Sequence, residues 1–247
     1  MTLTICEWLK SLSYEWCMVI ATFLLVLFTA LLALATFISV CGDMIIKFFI
    51  RPDFKIVSKP FMHRVPMRLF HEATGKTIAA ANTDYIRIEI LNEGNASAKD
   101  VEVLITEVRK KQNDGKFKPV PMATPYSLQW THRNDPSLGV FHHKTKRHIT
   151  LGYIYDPKER HHFTFDDNPS LLTNPEQQTL FTIAFSVKSS NREYLIPHGE
   201  YEFDIQVVAS NMKKPVRAKV YLNHNGEWFM IDSEMYEKGI EVKIYPC

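Results

Sequence analysis

Tyr85-Ile86-Arg87-Ile88-Glu89-Ile90 places isoleucine and polar or charged side chains on alternate positions, and Val101-Glu102-Val103-Leu104-Ile105-Thr106-Glu107-Val108 alternates less strictly. Successive side chains of a strand point to opposite faces, so both runs predict half-buried β-strands. Residues 92–100 between them are rich in Asn, Gly, Ser and Asp, and predict a generous connection.

The same pattern extends outward. Strand-like runs occupy 126–130, 149–155, 161–165, 180–187, 201–209, 216–222, 228–231 and 240–245. Within them Tyr201-Glu202-Phe203-Asp204-Ile205-Gln206-Val207 alternates strictly. Asn113-Asp114-Gly115 and Asn223-His224-Asn225-Gly226 predict tight turns. After Pro52 no long window has helical period. A mainly β domain follows, a sandwich or a barrel spanning 53–247, with Trp130, Phe185, Tyr201 and Trp228 expected in its core.

Two segments carry a resemblance. Residues 86–103, with Asn92-Glu93-Gly94 followed by Ala98 and Val101, resemble the Asn-x-Gly hairpin of microbial immunoglobulin-like (CARDB-like) domains. Leu195-Ile196-Pro197-His198-Gly199-Glu200-Tyr201 is similar to the late strand start of such sandwiches, although His198 interrupts the usual Pro-Gly pair. The resemblance implies an immunoglobulin-like β-sandwich used for binding or spacing, and carries no catalytic residue. The stretch from about 110 to 178 is longer than a minimal sandwich needs.

Ahead of this domain, 27 residues without charge lie between Glu15 and Asp43, WCMVIATFLLVLFTALLALATFISVCG. A helix needs about 20 apolar residues to cross a bilayer core. The run holds no proline and is apolar all round, as lipid on every side requires. It predicts a transmembrane helix over 17–42, with 1–16 as its N-terminal flank and 43–52 as a juxtamembrane segment. Trp8, Tyr14 and Trp16 occupy the place of an interfacial aromatic belt. A secretory signal fits less well, because Lys10 is offset by Glu7 and Glu15 and the apolar run is too long; Val40 before Cys41 is poor for a lipoprotein signal. Residues 44–51 extend the helix toward the headgroups with Lys47 and Arg51, and Pro52 ends it.

Flanking cations predict orientation. Lys10 stands alone before the run, whereas Lys47, Arg51, Lys55 and Lys59 follow it, which puts the C-terminal domain in the cytoplasm. Cysteine usage agrees: Cys6, Cys17 and Cys41 lie in or near the apolar segment and Cys247 is the last residue, so the β domain holds no internal pair to bridge. On this topology the glycosylation triplet Asn95-Ala96-Ser97 is accidental.

A formal charge of +2 argues against a nucleic-acid polymer as partner. The densest basic cluster is His142-His143-Lys144-Thr145-Lys146-Arg147-His148. His143, Lys144, Lys146, Arg147 and His148 are therefore the candidate anion-binding residues, suited to phosphate or an anionic headgroup. Lys110, Lys111, Lys116 and Lys118 form a second basic group. A metal site would need side chains such as His143, His148 and His162 to converge, and adjacent histidines on a strand point apart, so none is expected. No serine elbow, phosphate loop, His-Glu-x-x-His or Cys-x-x-Cys occurs, and Asp166-Asp167 reads as a solvated turn.

The sequence thus predicts a membrane-anchored, non-catalytic binding or scaffold module without a cofactor. Its partners would be the bilayer and a protein, or a second copy through the small residues Ala21, Thr22, Thr29, Ala30, Ala33 and Ala35. The alternative is a membrane sensor-effector whose β domain binds an anionic small ligand such as a nucleotide. Loops 132–148 and 156–178 are expected to carry specificity.

Overall fold

The apolar run forms one helix, α1 (Tyr14–Phe49), of 36 residues and about 54 Å. The structure is a computed structural model describing residues 14–70, 76–122, 124–131, 135–163 and 167–247. The flank with Cys6, Glu7, Trp8 and Lys10 and residues 132–134 and 164–166 lie outside the described residues. The window Trp16–Gly42 has a mean hydropathy of 2.8 and no part of it is buried, so it is long and apolar enough to cross a membrane. Its threonine hydroxyls are satisfied within the helix: Thr22, Thr29 and Thr36 donate to the carbonyls of Met18, Leu25 and Leu32 at 2.7 to 2.8 Å.

Residues Arg51–Cys247 form one compact unit, separate from Met1–Ile50. In chain order its strands are β1 (Phe54–Ile56), β2 (Phe61–Phe70), β3 (Thr77–Asn92), β4 (Ala98–Lys111), β5 (Phe117–Pro119), β6 (Tyr126–Ser127) and β7 (Gln129–Trp130). Then come β8 (Leu138–Phe141), β9 (Lys146–Tyr155), β10 (Phe181–Ile183), β11 (Leu195–Ile196), β12 (Gly199–Val208), β13 (Val216–His224) and β14 (Ile240–Pro246). The first sheet runs β1-β3-β9-β10-β11, with β2 also on β3 and β7 on β9. The second runs β14-β13-β12-β4-β5, with β6 and β8 also on β4. Their pairings are antiparallel.

The two strands that opened the sequence reading, β3 and β4, lie in different sheets. Their connection is a corner between layers, not the hairpin implied by the resemblance. The two strands still share one core: Ile86, Ile88 and Ile90 of β3 and Val101, Val103 and Ile105 of β4 are buried in one cluster with Phe203, Ile205 and Leu222. Strands on opposite layers bury both apolar faces against each other.

Asn92 builds the corner. Its buried side chain accepts from the backbone N–H groups of Asp53 (3.2 Å) and Gly94 (3.1 Å), and its amide donates to the Ala96 carbonyl at 2.9 Å. Gly94 is required by close approach, since a Cβ there would stand 2.3 Å from the Arg51 carbonyl oxygen and 2.4 Å from the Asp53 nitrogen. Residues 51–53 are thereby pinned to this corner.

Most predicted strands are present, with differences that have physical causes. Of the strand expected over 161–165, residues 161–162 fall in a 3-10 turn begun by buried Arg160, and 164–165 lie outside the described residues. Residues 228–231 are not a strand either: the carbonyls of Phe229 and Met230 accept from the Arg64 guanidinium, at 2.9 and 2.6 Å. Arg64 also makes a two-point bond to buried Asp84 (2.9 and 2.6 Å) and lies 4.6 Å from the Trp228 ring centroid. Trp228 is consequently only half-buried, while Trp130, Phe185 and Tyr201 are core. The Asn113-Asp114-Gly115 turn closes the β4–β5 hairpin, with Gly115 at φ 77°. Asn225-Gly226 instead leads from β13 into an excursion that returns at β14.

Strand β2 had no predicted counterpart. Pro66 interrupts its sequence, and the strand survives because, among the described residues, it pairs with β3 alone, as an edge strand can.

Candidate functional site

The basic loop predicted to bind anions joins β8 to β9 beside the β3–β4 corner. Its backbone is tightly held: the Lys144 N–H donates to the Asn92 carbonyl at 2.8 Å, the Asn92 N–H to the Thr145 carbonyl at 3.0 Å, and the Lys144 ammonium to the Glu93 carbonyl. His143, Lys144, Lys146 and Arg147 are exposed. The strand period divides the rest. Lys146 and His148 share a face with Glu89 and lie 3.0 and 3.3 Å from its carboxylate, whereas Arg147 falls on the alternate position. Burial, opposed by Glu89 and reinforced by Lys146 and Arg87, lowers the His148 pKa and so disfavours its charged form. These side chains do not converge on one point.

Two members of the second basic group are paired with acids, and Lys110 lies 5.4 Å from the Tyr201 ring centroid. Lys111 holds Glu200 at 2.9 Å and Lys118 holds Asp114 at 3.0 Å. No group of three or more potential metal ligands converges among the described residues. Of the predicted anchor flank, Trp16 is exposed, Lys47 lies within α1, and half-buried Arg51 opens the β unit.

A concavity lies elsewhere, on the outer face of the first sheet. Here β3 and β9 place Tyr85 opposite Tyr153, with ring centroids 5.4 Å apart. Tyr155 continues the row, and Phe163 from the excursion after β9 packs on it at 5.4 Å. Ala81, Tyr153, Tyr155, Phe163 and Ala184 form a small apolar cluster separate from the main core. Beside it opens a cleft of about 1050 Å³, walled by Met67-Arg68-Leu69 of β2 and by residues following β10.

Three cations line this cleft: Arg68, Lys188 and Arg192. No Asp or Glu is among its described lining residues. The Lys188 ammonium lies 3.0 Å from the Tyr153 hydroxyl, and 5.7 and 5.4 Å from the centroids of the Tyr153 and Tyr194 rings. Arg192, at φ 60°, donates to the Asp167 carbonyl at 2.7 Å. The buried Ser189 hydroxyl has no hydrogen-bond partner. His162, with Glu159 at 3.5 Å, completes one side.

Arg160 secures the excursion that forms this wall. Its guanidinium donates to the carbonyls of Gln178 (2.9 Å) and Pro175. Its Nε meets the Asp167 carboxylate at 2.6 Å, in ion-pair contact without the alignment of a hydrogen bond. Asp167, expected on a solvated turn, is thus an internal partner. At the excursion's far end, Thr179 bonds to the Gly226 carbonyl through its N–H (2.7 Å) and to His224 Nε2 through its hydroxyl (2.7 Å).

Sequence reasoning searched for contiguous basic clusters and so missed a site assembled from positions 68, 188 and 192. The one local signal was Tyr153 and Tyr155, two tyrosines at the same parity on β9, which put aromatic surface on the face turned away from the main core. Comparison of the chain with known protein families and with curated proteins finds no match.

Proposed function

We propose that this chain is a membrane-anchored, non-catalytic binding module, in which α1 spans the bilayer and the β domain presents its tyrosine-lined cleft to a partner in the cytoplasm. One observation carries the anchoring: an uncharged window, Trp16–Gly42, of mean hydropathy 2.8 with no part buried, a surface for which lipid is the suitable solvent. The cytoplasmic side rests on Lys47, Arg51, Lys55 and Lys59 outnumbering Lys10. The partner is a protein held through the cleft, or a second copy through the small residues of α1.

An immunoglobulin-like, CARDB-like character is part of the same reading. Tyr201 supports it: this buried residue, near the start of β12, donates its hydroxyl to the Pro197 carbonyl at 3.0 Å. That is the tyrosine-corner arrangement of immunoglobulin-like sandwiches.

Orientation is the first test. A single cysteine at exposed Asn113, in a background lacking the four native cysteines, should resist a membrane-impermeant reagent until the cells are opened. Labelling of intact cells would reverse the topology and remove the cytoplasmic partner. A second reading, a sensor-effector that clusters its anchors on binding an anionic small ligand, is favoured by the three cations of the cleft.

A further inference from the structure

We infer that the corner end of the β domain is a docking surface for anionic headgroups of the bilayer that α1 spans. The inference rests on the anchoring reading and adds an electrostatic contact to the covalent tether.

Hydrogen bonds bring four chain segments to this end. The Asn95 N–H donates to the Arg51 carbonyl at 3.1 Å, and the Lys144 N–H to the Asn92 carbonyl at 2.8 Å. The Ser210 N–H donates to the Lys99 carbonyl at 2.9 Å, and the Asn211 side chain bonds to the Lys99 N–H and the Ser97 carbonyl, each at 3.0 Å. Residues 51–53 and 212–216 line one cleft of about 340 Å³.

Net charge supports the anionic surface. Residues 51–55, 89–100, 142–147 and 210–216 hold eight Lys or Arg against four Asp or Glu, a net +4 where the whole chain carries +2. The rest of the chain is therefore net acidic. Local pairs are already inside that count, Glu89 with Lys146 and Glu93 with Lys55. A charged membrane responds to the net charge near its surface, so the argument needs no unpaired cation. A small anion needs side chains that converge on one point, which those of 142–148 do not, whereas a charged plane needs none.

Chain length supports the bilayer as the source of the anions. Ile50 alone separates α1 from Arg51. From Gly42, the end of the uncharged window, the chain runs on through helix to Phe49 and then to Arg51, a reach of at most about 20 Å. Headgroups are thus the nearest dense array of anions.

The test uses the full chain, lacking its native cysteines, in nanodiscs that carry a headgroup-linked energy-transfer acceptor. Donor dyes go on single cysteines at exposed Asn95, on the corner, or exposed Asn113, about 40 Å along β4. Transfer from Asn95 should rise when neutral phosphatidylcholine is replaced by equimolar phosphatidylcholine and phosphatidylserine, and high salt should reverse the rise. Transfer from Asn113 should stay lower in both lipids. Lys99→Gln, Lys146→Gln and Lys214→Gln together should cut the ratio of docked to undocked domain by about fivefold per lysine. All three side chains are exposed, so circular dichroism should match wild type. Removing Lys116, Lys118 and Lys158, beyond the far ends of β4 and β9, should leave docking unchanged. No response of Asn95 to phosphatidylserine, or equal loss from the two triple variants, overturns the inference. So does an oligonucleotide that binds the corner in neutral nanodiscs without any lipid response, which would assign this end to a polyanion in solution. Flotation with neutral liposomes separates the two readings. A chain that floats but ignores phosphatidylserine loses only the docking surface, and one that fails to float loses the anchor as well.

Discussion

The outer faces of the two sheets obey different rules. On the second sheet the outward positions of β4 and β12 form a ladder of opposite charges. Arg109 meets Glu107 and Asp204 at 2.8 Å and Glu202 at 3.4 Å, while Lys111 and the Tyr221 hydroxyl both bond to Glu200. Hydrogen bonds from Lys111, then from Tyr221, hold the Glu200 carboxyl below its ordinary pKa. That face is satisfied by itself in water. The outer face of the first sheet carries Tyr85, Tyr153 and Tyr155, is part-covered by the excursion after β9, and gathers cations without described acids in the adjoining cleft. A face of paired charges is satisfied in water, whereas a face of rings needs a cover, which Phe163 of the excursion supplies over Tyr155.

Equivalent truncations on the two faces should break this comparison if it is wrong. The largest effect is expected for Arg160→Ala, which strips the excursion of two carbonyl contacts and leaves Asp167 without its cation. Breaking a buried pair costs about 3–5 kcal/mol, so denaturant unfolding of the full chain, followed by tryptophan fluorescence, should shift by that order. A near-neutral result would mean that the excursion is no more than a solvated loop.

His224 tests how the cover of the first sheet is stitched to the second. Complete burial, with a smaller contribution from His198, lowers its pKa from 6.5 to about 3. Below pH 6.5 the unfolded chain therefore binds a proton that the folded chain refuses. Stability contributed by neutral His224 is full above pH 6.5 and declines as the pH falls toward about 3, by up to about 1.4 kcal/mol per pH unit. Between pH 6.5 and 5, above most carboxylate titrations, His224→Gln should flatten the pH dependence of Tm. An unchanged slope would show that His224 does not titrate as its burial demands.

The smallest effect belongs to Arg109→Ala on the charged ladder. Its partners remain solvent-accessible, so the loss should be about 0.2–1 kcal/mol and should shrink further in salt. A cost equal to that of Arg160→Ala would erase the distinction between the two faces.

Much of the fold was legible because its signals are local. Period-two alternation located β3, β4, β12, β13 and β14, and the Asn113-Asp114-Gly115 turn announced the β4–β5 hairpin. Run 228–231 misled because it has strand-like composition, but distant Arg64 takes its carbonyls; in run 161–165, residues 161–162 turn as a 3-10 helix. Alternation also could not say that β3 and β4 belong to different sheets, since a strand's apolar face is the same whether its neighbour lies beside it or across the core. The basic loop 142–148 looked like a site because its charges are adjacent in sequence, and the strand period sends them to different faces.

The sequence by itself determined the apolar helix, the β class of the domain and the absence of a cysteine pair within it, because hydropathy, alternation and composition are properties of neighbouring residues. Only the tertiary structure decided which side chains meet. Arg68 and Lys188 lie on separate strands and loops, and their meeting depends on β2 docking on β3 and on the chain after β10 folding back over Tyr153. Electrostatic energy depends on distance in space, which strand order and register set and which no spacing along the chain reveals.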